Sequence, residues 1–369
     1  MKILYFFKYQ ETPMFQWQVN HIVNELSTHD IEVEIFNPLE QPSVDLANEL
    51  LLNKLRTERY DMFMTPHNEK DLYICTLHEI KNAGIPTLLI CFDSLTIPHF
   101  HKKIAKEFDL VWLTSAETQY LFDKWGARSI FMPYAANPQL YNPQKQRINR
   151  ALFVGTPYGS RCRMINNLIN ADVPVTLYGR TSQSSSRNAV PTSNRLSRYK
   201  NLGLSVVDML KFPIGRRLAY ASVKNKMLRQ SVLNLESKNL INHPPVDVNT
   251  MMGLYDSYSL SMNSVTNRHT GVLTKPVFIV NLRCFEVPAA GGILFSLYSP
   301  EVNSYFEDGK EAVFYNSDEE MIDKAMFYLN PSRKKLRETI KMAARLKATS
   351  EHTWFKRFAK VFDILGLRY

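Results

Sequence analysis

Short apolar runs separated by amphipathic stretches set the rhythm of the first third of the chain. Ile3-Leu4-Tyr5-Phe6-Phe7, behind Lys2, reads as the first strand of a parallel sheet. After a loop from Lys8 to Met14, the residues Phe15, Val19, Ile22, Val23 and Leu26 recur at helical spacing. Residues 31–36 alternate like a strand, 46–56 form a helix, and 61–64 form a third strand. A helix over 72–83 ends at Gly84; strands follow at 86–92 and 110–113. A helix over 117–125 stops at Gly126, before a last strand at 129–132. Strands alternating with helices predict a doubly wound α/β domain.

The rhythm stops and restarts. Pro133-Tyr134-Ala135-Ala136-Asn137-Pro138 and Tyr141-Asn142-Pro143 punctuate a polar passage that reads as a linker up to Arg150. Arg150 to Gly155 then opens a second unit, with a helix through Met164, Leu168 and Ile169 and a strand from Val173 to Tyr178 closed by Gly179-Arg180. Further on, Val277 to Val280 reads as a strand. Arg283-Cys284-Phe285-Glu286 leads into a helix at Val287–Ala290, which stops at Gly291-Gly292 ahead of Ile293-Leu294-Phe295. Near the end, Phe355, Phe358, Val361, Phe362 and Leu365 lie on one side of an amphipathic helix. In a doubly wound sheet, ligands sit at the carboxyl ends of the strands.

Length, charge and cysteine usage narrow this picture. The 369 residues fit two domains, and a mean hydropathy of −0.25 fits a globular enzyme-sized chain. Cys75, Cys91, Cys162 and Cys284 stand singly, without a C-x-x-C pair, which argues against a zinc or redox motif. The apolar run at the start is too short for a signal peptide and no stretch approaches a membrane span, so a cytoplasmic protein is expected. A peripheral position on the inner face of the plasma membrane stays open. The net charge of +10 is concentrated between residues 187 and 238, where eleven basic residues face only Asp208 and Glu236. That segment predicts either an anionic partner, such as a membrane surface, or simply a solvated surface helix. A nucleic-acid partner is not expected, because no recognition motif or aromatic stacking platform accompanies the charge.

Several motifs carry a resemblance. Glu286-x-x-Ala289-x-Gly291, an apolar strand, and Glu307-x-Gly309-x-Glu311 resemble the donor half of retaining glycosyltransferase family 4. The form RCFEVPAAGG, with Glu351-His352-Thr353 near the end, is similar to the branch related to the spore-maturation protein CgeB. Phe153-Val154-Gly155-Thr156-Pro157-Tyr158-x-x-Arg161, the Pro133–Pro138 segment and Tyr255–Asn263 resemble the same branch. The resemblance covers the pattern from about Leu110 onward. It implies an α/β fold of the GT-B type: two Rossmann-like domains facing a central cleft, with a C-terminal helix crossing back to the first. The expected domains are an acceptor-side unit at 1–147, a nucleotide-sugar-binding unit at 148–347 with a basic insertion at 181–245, and the returning helix at 348–369. The implied activity is sugar transfer from a UDP-, GDP- or dTDP-sugar to a glycan, lipid-linked or protein acceptor, with retention of configuration, in cell-surface polysaccharide or glycoconjugate synthesis. No cofactor and no metal are expected, since the chain lacks the Asp-x-Asp that holds a metal–diphosphate complex in the other transferase fold. A non-catalytic GT-B protein that binds glycan or scaffolds a partner is the alternative.

The donor candidates are Gly155, Tyr158, Arg161, Asn263, Lys275, Arg283, Glu286, Gly291 and Gly292, with Arg163 added by proximity. The resemblance makes Glu286 the ribose-holding second Glu of an E-x₇-E motif; the position of the first Glu is Phe278. Arginine or lysine side chains, helix N-termini and free backbone N–H groups at the glycines could neutralise a departing diphosphate. Asp93 and His99, just past the fourth strand, are the catalytic candidates, as groups that orient or deprotonate an acceptor hydroxyl. The plainer alternatives are a helix cap for Glu286, turns for the glycines and Asn263, and surface positions for the cations and His99.

Overall fold

The computed structural model describes residues 1–141, 148–181, 207–228 and 232–369. The linker tract 142–147 and five basic residues of the charged segment, Arg187, Arg195, Arg198, Lys200 and Arg229, lie outside the described residues. The chain divides into two compact units. One comprises Met1–Asn137 with Thr353–Tyr369, and the other Pro138–His352.

The first unit holds six parallel strands: β1 (Lys2–Phe6), β2 (Glu32–Phe36), β3 (Met62–Thr65), β4 (Thr87–Cys91), β5 (Leu110–Leu113) and β6 (Ser129–Phe131). Their order is β2-β1-β3-β4-β5-β6. Each of β3, β4 and β5 is buried at every position. That is why they read as unbroken apolar runs: helices cover both faces of a parallel sheet. The order reverses between β1 and β3, which opens a crevice at their carboxyl ends. The helical spacing after β1 is correct in outline, but the helix is interrupted. Pro13–Gln18 is α-helical, Val19–Val23 adds a π turn, and Asn24–Ser27 is α-helical again.

The last helix, Trp354–Leu365, belongs to this unit. Trp354 is fully buried, with its ring 5.9 Å from Trp17, 5.8 Å from Trp112 and 6.2 Å from Tyr134. Thr353 caps the helix by accepting from the Lys356 N–H at 3.2 Å, and Gly366 ends it at φ 69°. Glu25, also buried, accepts from the N–H groups of Trp354 at 3.0 Å and Phe355 at 3.2 Å. A carboxylate at a helix N-terminus meets orphan N–H donors and the positive end of the dipole.

The second unit contains β7 (Ile148–Val154), β8 (Val175–Tyr178), β9 (Leu240–His243), β10 (Tyr258–Asn263), β11 (Leu294–Leu297) and β12 (Val313–Tyr315), in the order β12-β11-β10-β7-β8-β9. This is the dinucleotide-fold order, with its reversal between β7 and β10. Helix Ser160–Asn170 packs with Asp318–Leu329, while Arg283–Ala289 packs with Val248–Ser257 and Lys334–Glu351. Three elements depart from the sequence reading. Val277–Val280 is not a strand; it makes a single antiparallel bridge, Thr266 with Phe278, because its neighbour is a loop. Leu240–His243 is an edge strand inside the region read as an insertion. The helix before the glycine pair begins at Arg283, four residues early.

Two measurements test the closure of the first unit. Truncating Trp354 to Ala leaves a cavity among three aromatic rings and should cost about 3–5 kcal/mol in unfolding free energy. Burial pushes the Glu25 carboxyl up to about 7, against the lowering effect of its N–H partners and Arg357. Its folded pKa therefore exceeds the unfolded one, so the folded state binds the extra proton. The stability this group contributes is full below the unfolded pKa and fades as pH rises through about 7. Glu25→Gln should flatten the fall in melting temperature between mildly acidic and neutral pH, a differential on the order of 2–3 kcal/mol.

Candidate functional site

The reversal between β7 and β10 is where the second unit gathers its charged side chains. β7 is followed by Gly155, whose N–H donates to the Tyr178 carbonyl of β8 at 2.8 Å. Gly179 repeats the step one strand over, donating to the His243 carbonyl of β9 at 3.2 Å. A side chain is excluded at Gly179 and strained at Gly155. A Cβ on Gly179 would lie 2.1 Å from the Gly155 carbonyl oxygen, and Gly155 sits at φ 130° with a would-be Cβ 3.2 Å from the Arg283 Nη2. The chain then turns through Thr156–Gly159 into helix Ser160–Asn170.

Arg161, in the first turn of that helix, lies 4.4 Å over the Tyr158 ring and donates to the Thr156 carbonyl at 3.2 Å. Arg283 reaches the same place from the first position of helix Arg283–Ala289, on top of Gly155. Burial lowers the Arg161 pKa; Tyr158 opposes this and the charge of Arg283 adds to it. Burial also disfavours the Arg283 cation, but Tyr255 and Glu286 outweigh it and hold its pKa above the ordinary value. Two guanidiniums thus repel each other across a glycine turn. The Nε of Arg283 is buried without a hydrogen-bond partner among the described residues. Such a pair is stabilised by an anion bearing charge on several oxygens, which accepts from both forks. Glu286 is buried at 3% exposure, one turn from Arg283.

A groove of about 390 Å³ adjoins this turn. Ser160, Met164, Ser264, Thr266, Leu297 and Tyr315 line it, at the carboxyl ends of β10, β11 and β12. Arg163 also lines it, paired with Asp318 at 3.1 Å.

Other candidates lie elsewhere. Gly291 and Gly292 do not present N–H groups to a phosphate. Their N–H groups donate to the carbonyls of Pro288 at 2.8 Å and Val287 at 2.9 Å, and Gly291 adopts φ 81°. This is the left-handed stop of a helix C-terminus, where carbonyls rather than N–H groups are surplus. Asn263 is buried and engaged. Its amide donates to the Cys284 Sγ at 3.3 Å, and its carbonyl accepts from Asn281 at 3.1 Å, so it ties β10 to the helix instead of facing a donor. Lys275 is exposed, and its backbone carbonyl receives the Arg217 guanidinium at 2.7 Å. His269, which the sequence reading did not single out, meets the Tyr158 ring edge-on at 5.9 Å.

In the first unit, Asp93 is exposed at φ 56°, just beyond β4, and its carbonyl accepts from Thr96 and Ile97. His99 is half-buried in the turn Pro98–His101. The nearby His101 is buried, bonds the Pro66 carbonyl at 2.9 Å, and is pushed down to about 4 by burial. A cluster that sequence reasoning missed occupies the β1/β3 reversal. The Lys8 N–H donates to the His67 Nε2 at 2.9 Å, the His67 Nδ1 faces Asp71 at 3.5 Å, and the Lys8 ammonium pairs with Asp71 at 2.5 Å. Burial pushes His67 down to about 4, against the pull of Asp71. It is therefore neutral near pH 7, with its proton on Nδ1 and Nε2 already occupied, so it positions the loop after β1. Lys8 is 59 residues from His67 and 63 from Asp71, and the strand-reversal rule is the one signal that could have joined them.

Comparison with known proteins agrees with this fold. Residues 216–363 match the family model described as glycosyl transferase-like. No curated protein sequence matches the chain. Among solved structures, the chain is similar to Anabaena HepE in complex with UDP-glucose, at 14% identity and a TM-score of 0.56, with 99% of each chain covered. It is also similar to sucrose-phosphate synthase from Thermosynechococcus elongatus, at 10% identity and a TM-score of 0.53, again over 99% of each chain. A glycosyltransferase from Rickettsia africae aligns over 99% of this chain and 98% of its own, at 12% identity and a TM-score of 0.53. The chain thus has the two-domain GT-B fold, and within it residues 216–363 match the glycosyl transferase-like family model.

Proposed function

We propose that the protein transfers a sugar from a nucleoside-diphosphate donor to a glycan, lipid-linked or protein acceptor. The observation that carries this reading is the Arg161–Arg283 pair above Gly155 at the β7/β10 reversal. When the glycosidic bond to the diphosphate breaks, negative charge grows on the phosphate oxygens. Two fixed guanidiniums at that position stabilise it without reorganising. Glu286 and Tyr255 keep Arg283 charged and in place. The HepE structure with UDP-glucose supports the donor class. UDP-, GDP- and dTDP-sugars are the donors to try. Asp93 and His99 are the residues we assign to the acceptor hydroxyl. Retention of configuration, a role in cell-surface glycan synthesis and membership of the CgeB-related branch rest on the RCFEVPAAGG resemblance.

A panel of nucleotide sugars screened by thermal shift, followed by assay of nucleotide release, tests the reading. A true donor at about a hundred times its Kd should add about 2.7 kcal/mol of apparent stability. Arg283→Ala and Arg161→Ala should each weaken donor binding about 10- to 100-fold, the loss expected for a charged hydrogen-bond partner. Neither is expected to unfold the second unit, whose core cluster excludes both residues. Silence of the whole panel, in both stability and nucleotide release, would refute the proposal. Donor binding with no turnover across a broad acceptor set would support the non-catalytic alternative.

A further inference from the structure

Helix Pro213–Met227 presents two opposed faces. Gly215, Leu218 and Ala221, at i, i+3 and i+6, are buried against the second unit. The fit is close, since a Cβ on Gly215 would lie 1.9 Å from the Met209 carbonyl oxygen. The opposite face carries Tyr220, Val223 and Met227, at i, i+3 and i+7, which are 62%, 57% and 78% exposed. Arg217 and Lys224 flank this stripe on one side and Lys226 on the other, with Arg216 at its head. No carboxylate occurs in the helix.

An apolar stripe of this kind standing in water marks a contact surface. Its chemistry selects the partner. A protein interface would bury the stripe within a polar rim of mixed sign, whereas here every flanking charge is positive. An interfacial helix sinks its apolar face into the boundary between headgroups and acyl chains. Its lysines and arginines extend to the lipid phosphates, and tyrosine suits the polar–apolar border. We propose that helix Pro213–Met227 docks the second unit on an anionic lipid surface. The helix is also joined to the donor region. Arg217 donates to the Lys275 carbonyl, the helix packs on the turn Thr270–Val272, and the would-be Cβ of Gly271 lies 3.0 Å from Ser160 Cβ, beside Arg161. Docking therefore places the donor turn next to the membrane surface. The proposal stands on the helix itself and does not require the donor reading.

Sedimentation of the full chain with lipid vesicles tests it, and the readout needs no transferase activity. Vesicles of phosphatidylcholine with about one third phosphatidylglycerol should capture the protein at least about tenfold better than pure phosphatidylcholine, and high salt should weaken the capture. The double variants Val223→Glu/Met227→Glu and Lys224→Glu/Lys226→Glu change exposed positions and the half-buried Lys224, none of them in the buried core, so their melting temperatures should stay within a few degrees of the parent. Each should lose about tenfold or more of the binding to anionic vesicles. Equal capture by neutral and anionic vesicles would overturn the proposal, as would variants that bind like the parent. A dimer in light scattering that dissociates in Val223→Glu/Met227→Glu would overturn it too, by assigning the face to a second copy of the chain.

Discussion

The second unit depends on one constraint: the reversal of strand order between β7 and β10. Neighbouring strands whose following helices leave toward opposite faces cannot keep their loops together, so a crevice opens between them. Beside it, the ends of β7 and β8 come together. Gly155 and Gly179 approach so closely that no Cβ fits at Gly179. The room left above is taken by side chains reaching in from both sides, Arg161 from the helix after β7 and Arg283 from the helix that precedes β11. The nearby Arg163 is paired with Asp318, whereas Arg161 feels the like charge of Arg283. Electrostatics thus separates two arginines in one helical turn: one is part of the scaffold, and the other is held near a like charge.

The two units handle buried charge in contrasting ways. In the first, Glu25 is buried against helix N–H groups, and desolvation still wins, so the group holds its proton more tightly than in water. In the second, Arg283 is buried too, yet Tyr255 and Glu286 more than offset desolvation, so it stays charged. His67 shows a third outcome: a neutral imidazole with both nitrogens engaged between Lys8 and Asp71. Each outcome follows from which partner is within reach, not from burial alone.

Much of the fold was legible because buried parallel strands are apolar along their whole length, as at Thr87–Cys91 and Leu110–Leu113. Leu240–His243 escaped notice for the opposite reason. It is an edge strand, with Ile241 largely exposed and Asn242 and His243 in its second half, so it carries almost no apolar signal. Val277–Val280 had the signal without the structure, because a strand needs a partner and only Phe278 bridges one. Within the site, Arg161 and Arg283 were visible through family-like motifs. The glycine pair was ambiguous: the same two residues end one helix or open a phosphate turn, depending on which side the helix lies. Here the helix precedes them, so their N–H groups are spent on its carbonyls. Tyr255, Gly179 and Lys8–His67–Asp71 acquire their meaning only from tertiary proximity.

The docking of Trp354 among Trp17, Trp112 and Tyr134 has a temporal side. A ribosome makes the strands of the first unit well before it makes the helix that completes their core, since Pro138–His352 must be translated in between. At about 5–20 residues per second, that interval lasts on the order of ten seconds or more. Throughout it, the nascent sheet carries an open aromatic socket and an unsatisfied Glu25. The first unit is therefore the first to be synthesised and the last to be finished.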